Sequence, residues 1–501
     1  MRAARLLSLA VLALALGGCP GGGDGEGSAL EGGTIRVAVP AAQTGVDPAL
    51  APPYTGSGAQ PLVLAHTAPL AYRHAGGKDG TALVPALAAR VPEPSGDGRA
   101  YTLRLRPGLR FANGRPVRAS DVRHTILRAR ALGPVGARLF AGVRRLRADD
   151  ERGTVRIVLR RSDPSFPHAL AAAQAGVVPA AAPMQASERP LSGVGPYRIV
   201  RVRPGRGYVL RRDRAFSLQG VQGGLLDEIA VVAGESVTAQ TDAVVADRLD
   251  VMTAPPPPDR RPELRSELRE RYHEEPALET RYLQIRVGGD GAAELRDALA
   301  LAMDRPEAAR VLGGLVRPTC SLLPPALPGA GEPDSCPWGD PEDHADLVRA
   351  RKLVEDAGAL GRRVTVAAGP GDGGAARLYA RTLTTLGLSP RRVDGRAEVT
   401  FLRARAPVPD SARFLVPLAE RVPLVLDAEA LLTADELRAT TDEAERARLA
   451  RALDEDLVEG GVVVPYAQSL GTVFVSGRID AANCLNVHPV IGVDLANLCL
   501  R

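Results

Sequence analysis

With 501 residues, 45% of them hydrophobic, the chain is long enough for two or three domains and ample buried core, which excludes a disordered tail or a disulfide-dependent miniature fold. Its 63 basic and 58 acidic residues leave a formal charge of +5, and the arginines are scattered along the chain without aromatic partners, so nucleic-acid binding is unsupported. Aromatic residues at 3% leave little material for a large stacking pocket.

The chain opens like an exported protein. Met1 to Arg5 is short and cationic, and "LLSLAVLALAL" (Leu6 to Leu16) is an apolar run too short to span a bilayer as a mature helix. "LGGC", ending at Cys19, resembles the lipobox of bacterial lipoproteins, which implies cleavage before Cys19 and acylation of that residue. The following "PGGGDGEGSALEGG" buries nothing and reads as a flexible tether. Residues 1–18 are therefore expected as a lipoprotein signal peptide and 19–33 as a Gly-rich tether. No later stretch reaches eighteen uninterrupted apolar residues, so the lipid is the only membrane contact expected.

The fold proper begins with "GGTIRVAVP", where Ile35, Val37 and Val39 alternate as in a half-buried strand. "AYTLRLRPGLRF" and "TVRIVLRR" repeat the pattern, and between them "ASDVRHTILRARAL" predicts a helix capped by Ser120 with Asp121 in its first turn. "GVGPYRIVRV" and "GYVLRRD" read as a hairpin, "LDEIAVVA" as a strand, and "TAQTDAVVADRLDVMTA" as a helix leading into a short strand. Pro255 to Pro258 break the chain, a polar helix follows, and "LETRYLQIRV" returns to strand alternation. In "AAELRDALALAMDRPEAARVLGG" a helix precedes Asp304, which caps a second one with Glu307 three positions on. A proline-rich loop, a helix at His344 to Ala357, a strand–helix unit from Val364, the strand "AEVTFLRA", two helices between Thr433 and Glu459 and the strand "VVVPYAQSLGTVFVSG" complete the series.

The unit at Val364 contains Gly369-x-Gly371-x-x-Gly374, with Asp394 twenty residues beyond, the spacing of a dinucleotide-binding turn. Pro370 removes a backbone N–H where a pyrophosphate needs donors, so the turn reads as structural. No G-x-S-x-G, P-loop or H-E-x-x-H motif occurs, and no two of the seven histidines share i,i+3 or i,i+4 spacing. No catalytic residue, metal site or cofactor is expected. Beyond Cys19 the cysteines fall into near-neighbour pairs, Cys320 with Cys336 and Cys484 with Cys499. Among the three possible connectivities these close the shortest loops, as disulfides of an oxidising compartment.

Seven phrases in order, among them "LVPALAARVPEPSGDGRAYTLRLRPGLRFANGRPVRASDV", "GVGPYRIV", "LRDALALAMDRPEAARVLGGLVRPTCSLLPP", "ARKLVEDAGALGRRVTV" and "VVVPYA", are similar to the family 5 extracellular solute-binding proteins, the peptide- and nickel-type receptors of bacterial ATP-driven importers. The likeness runs from about Gly32 to about residue 475. It implies a mixed α/β, two-lobed periplasmic-binding-protein-like fold (type II, cluster C-like) with an extra small domain. Lobe I would comprise residues 34–60, 185–280 and 465–501, the extra domain 61–184, and lobe II 281–464, with crossings at "RYLQIRV" and "VVVPYAQ". It further implies a monomer on the outer face of the cytoplasmic membrane that binds a peptide or other small polar solute, closes by hinge motion and meets importer permease subunits. The alternative is a lipoprotein of the same fold serving as sensor or envelope interaction protein.

Peptide-binding members carry a tryptophan and an ammonium-binding aspartate before an Asp/Glu-Pro step. The matching stretch is "FLRARAPVPDSARFLVPL", in which Asp410-Ser411 replaces that step, the tryptophan position falls near Ala404 and the aspartate position on Pro407. Both groups are missing. The cleft candidates by position are Tyr282, Asp410, Tyr466 and Gln468, with Arg403 and Arg405 as partners for an anionic ligand.

Overall fold

The structure, a computed structural model, describes residues 31–52, 59–95, 97–331, 336–422 and 428–501. The expected signal peptide, Cys19 and residues 20–30 of the tether lie outside the described residues. The alternating residues Ile35, Val37 and Val39 place Thr34–Val39 inside a large mixed sheet, with parallel neighbours Glu228–Ala233 and Val251–Met252 on its two edges. From there the sheet runs one way through Gly207–Arg212 and Tyr197–Arg203, the expected hairpin. The other way it runs through Val463–Val475, Tyr272–Ile285, Val399–Arg405, Arg363–Ala368 and Ser389–Arg392. This is the mixed α/β, two-lobed architecture the sequence implied.

Two long strands join the halves. Tyr272–Pro276 pairs with Phe474–Leu470, next to Val251–Met252, whereas Thr280–Gln284 pairs with Gln468–Val463 and lies against Val399–Arg405. The register shifts between Pro276 and Thr280, where the proline offers no N–H to the ladder and the chain bulges. Gln468 fills the gap: its Nε2 donates to the carbonyls of Ala277 (2.6 Å) and Glu279 (2.9 Å), and its Oε1 accepts from the Thr280 hydroxyl. Each expected crossing segment lies in one of these strands.

A separate four-stranded antiparallel sheet, in the order Pro94–Ser95, Ala100–Arg104, Thr154–Leu159, Val143–Asp149, is covered by the helix Ala119–Leu132. Val122, Ile126 and Ala129 on that helix and Tyr101, Leu103, Val155 and Ile157 on the strands are all buried in one core. Ser120 is not the cap expected for this helix. Asp121 reaches back to the Arg118 N–H (2.8 Å), while the Ser120 hydroxyl and N–H both donate to Asp150, so the helix is capped two residues earlier, at Arg118. The same helix carries Arg128, 1% exposed, in a two-pronged contact with the buried carboxylate of Asp47.

Cys484 and Cys499 form a disulfide. The expected bond between Cys320 and Cys336 is absent: both cysteines are free. The neighbouring Cys320 thiol first, and then the nearby Arg305 guanidinium, bring the Cys336 thiol down to about 7 against the opposing effect of burial. Asp304 caps the helix Arg305–Val311 as expected, accepting from Glu307 N–H at 2.9 Å.

His488, close to the disulfide, is 2% exposed. Nε2 donates to the Arg73 carbonyl (3.0 Å) and Nδ1 accepts from Val490 N–H (3.0 Å), a pairing that only the neutral ring allows. Burial lowers its pKa from 6.5 to about 4. A histidine depressed in the folded state contributes fully above pH 6.5 and loses that contribution as pH falls toward 4. The loss at this site is about 3 kcal/mol at most. Urea midpoints measured between pH 7 and pH 4 should fall more steeply for the native protein than for His488→Gln; equal slopes would contradict this.

Candidate functional site: an arginine-lined cleft

Val399–Arg405 brings Arg403 and Arg405 to the end of the sheet, and the chain then turns through Pro407 to Asp410, which caps the helix Ser411–Ala419 by accepting from Arg413 N–H (2.9 Å). Opposite lie the short helices Pro134–Leu139 and Phe166–Ala169. Between the two sides is a cavity of about 510 Å³, within the range of small-ligand sites. Val135, Leu139, Ala169, Val408, Phe414 and Leu418 give it apolar walls. Arg138, Arg403, Arg405, Arg413 and Arg421 supply its charge, and no carboxylate is among its described lining residues. A second cavity of about 390 Å³ shares Arg138, Ser165, Arg413 and Pro417 with it.

Three of the five arginines are neutralised from outside the cavity. Arg405 binds the buried Glu279 carboxylate at 2.6 Å, and Ser469 donates to the other oxygen at 2.9 Å. Burial works against ionisation of Glu279, yet the Arg405 guanidinium and these hydrogen bonds hold its carboxyl below the usual range. Arg403 binds Asp372 at 2.8 Å. Asp372 is 1% exposed and also accepts from Arg281 and from the Tyr466 hydroxyl (3.0 Å). Arg413 pairs with Asp163.

Asp372 explains the glycines around it. Gly371 has φ +82°, and a Cβ there would overlap the Arg403 guanidinium, which also donates to the Pro370 carbonyl at 2.6 Å. The Gly369–Gly374 turn is thus shaped around an arginine of the cleft wall, in agreement with its structural reading.

The two sides touch across a polar latch. Ser165 donates to Asp410 at 2.6 Å, and Arg446 donates to the other Asp410 oxygen at 2.6 Å and to the Ser165 hydroxyl at 3.1 Å. Burial disfavours the Asp410 anion, but Arg446 and the Ser165 hydrogen bond outweigh it and keep the carboxyl low.

Of the residues expected to line the cleft, the structure brings Arg403, Arg405 and Asp410 together, with Asp410 facing the latch. Tyr282 is buried. Tyr466 and Gln468 lie behind the wall, their polar atoms engaged by Asp372 and the strand bulge. Arg138, Arg413 and Arg421 were missed. Arg413 lies within the quoted stretch and Arg421 just past the helix that begins in it, whereas Arg138 comes from a distant segment that only the fold brings near.

Residues 82–385 match the model for bacterial extracellular solute-binding proteins, family 5 (Middle), which is more than half of the chain. The chain belongs to this family. Solved structures similar to this solute-binding protein include "Clavulanic acid biosynthesis oligopeptide binding protein 2" (TM-score 0.80, 23% identity, 94% of this chain and 96% of that one). DppA from Helicobacter pylori in complex with the peptide STSA aligns with TM-score 0.67 and 19% identity over 94% and 98% of the two chains. AgaA from A. tumefaciens R10 in complex with agropinic acid aligns with TM-score 0.65 and 19% identity over 94% and 99%. At these identities the likeness shows the shared fold of the solute-binding protein. No curated protein sequence matches the chain. None of its described helices is long and apolar enough to cross a membrane.

Proposed function

We propose that this solute-binding protein is the lipid-anchored receptor of an ABC importer, held outside the cell membrane through acylated Cys19, and that it captures a peptide-like or other small polar solute in the arginine-lined cleft. The observation that carries the reading is a cavity of ligand size whose opposite walls come from the small domain and from the 403–421 segment. The same walls meet directly at Asp163–Arg413 and Ser165–Asp410, so a change in their separation would open or close the cavity. The proposed boundaries, 34–60 with 185–280 and 465–501, 61–184, and 281–464, put the crossing strands between the lobes as hinge. A ligand held by both walls favours the closed form, and only that differential affinity shifts the population toward the shape a permease would recognise. Solved structures of similar fold hold the peptide STSA or agropinic acid.

Native mass spectrometry on the protein lacking the signal and Cys19, followed by denaturation, tests this. A discrete small molecule released on denaturation, whose re-addition lowers the radius of gyration in solution scattering, is the expected result. Bare polypeptide that no solute compacts would favour the sensor or envelope role for a protein of this fold.

A further inference from the structure

We infer that the ligand of this cleft is an oxyanion, bound through Arg138 and Arg421, and that a free amino group is no part of its recognition. The inference rests on the cleft being the ligand site. Charge balance along the wall carries it. Arg403, Arg405 and Arg413 each face a carboxylate that lies outside the main cavity: Asp372, Glu279 and Asp163. Arg138 and Arg421 line the same cavity, are both exposed, and face no carboxylate among the described residues. Arg138 also lines the adjoining cavity, whose carboxylates Asp163 and Glu420 pair with Arg413 and Arg438, so it stands where the two spaces meet.

A guanidinium presents a planar fork of N–H donors that matches a carboxylate or phosphate with two parallel hydrogen bonds. Two such forks in a pocket without a described carboxylate leave an ammonium group no counter-charge there and set it against net positive potential. Apolar walls from Val135, Leu139 and Phe414 then suit the uncharged body of the solute. The ligand class is thus a compact organic acid or blocked acidic peptide, with carboxylate and phosphate as the two forms of the anion.

Titration calorimetry with four probes of matched size tests the inference: N-acetyl-Ala-Ala-Glu, its diamide, Lys-Ala-Ala-amide, and N-acetyl-Ala-phosphoserine-amide. The acetylated acid or the phosphopeptide should bind at least about tenfold tighter than the diamide, and the stronger of the two identifies the anion. Arg138→Gln and Arg421→Gln should each weaken the acid by about tenfold or more while leaving diamide affinity and melting temperature unchanged. Equal affinities for acid and diamide, tighter binding of the lysyl probe, or unaltered acid binding by both variants would overturn the inference. A thermal-shift screen of pooled neutral, cationic and anionic solutes separates this from failure of the receptor reading. Stabilisation only by neutral or cationic pools would remove the anion and keep the receptor; no stabilisation by any pool would remove both.

Discussion

Replacing Arg128 by methionine is expected to destabilise the folded protein by about 3–5 kcal/mol, the range for breaking a buried ion pair from one side. Both guanidinium Nη atoms bind Asp47 at 2.6 Å, and Nε and Nη2 further donate to the carbonyls of Pro183 (2.6 Å) and Gln185 (2.7 Å). Asp47 in turn accepts from the N–H groups of Ala49 and Ser187. Both partners are nearly inaccessible, at 1% and 3% exposure. Methionine matches the volume of the stem but leaves a buried anion without its cation and two carbonyls without donors. Lysine should fail nearly as badly, because a single ammonium cannot span both oxygens and both carbonyls. The double variant Asp47→Asn with Arg128→Met should lose clearly less than the sum of the two single changes. Denaturant titration of the four proteins checks this, and a cost under about 1 kcal/mol for Arg128→Met would refute the account.

The second large effect concerns the latch. Asp410→Ala removes the helix cap, the acceptor for Ser165 and the partner of Arg446, which is itself only 12% exposed. A loss of about 3–5 kcal/mol is expected from the unpaired buried arginine, with about 1 kcal/mol more from the cap. Asp410→Asn retains an acceptor for the helix N–H and so should be the milder change. Because Asp410 joins the walls and need not touch the ligand, both variants should weaken every ligand by the same factor and enlarge the unliganded protein in solution scattering. Loss confined to ligands with an amino group would instead restore the contact role expected for Asp410 from its position.

Much of the scaffold was legible in the residues themselves. The alternation in "TIRVAV" and "YTLRL" and the Asp304 cap depend on neighbours a few residues apart, which local sequence records directly. Ser120 failed for a related reason. Serine and aspartate at adjacent positions both suit a helix start, and Asp150, thirty residues away, decided between them by taking the serine.

The site was legible only in part. Arg403 and Arg405 stood out because the stretch around them lacks the aromatic and acidic groups of peptide-binding relatives, and they do line the cleft. Tyr466 and Gln468 carried the right chemistry at positions whose side chains are sealed behind the wall. Along a strand, alternation tells which residues share a face, whereas which face meets a cavity depends on what packs above it.

By itself the sequence determined the family, the two-lobed α/β plan and the structural nature of the Gly369–Gly374 turn, because each of these is written in local pattern. Only the tertiary structure decided which arginines have counter-ions. Asp47 meets Arg128, Asp163 meets Arg413 and Glu279 meets Arg405 across 81, 250 and 126 residues of chain, while Arg138 and Arg421 meet no described carboxylate. Charge neutralisation acts through space over a few ångströms, and no spacing along the chain reports it.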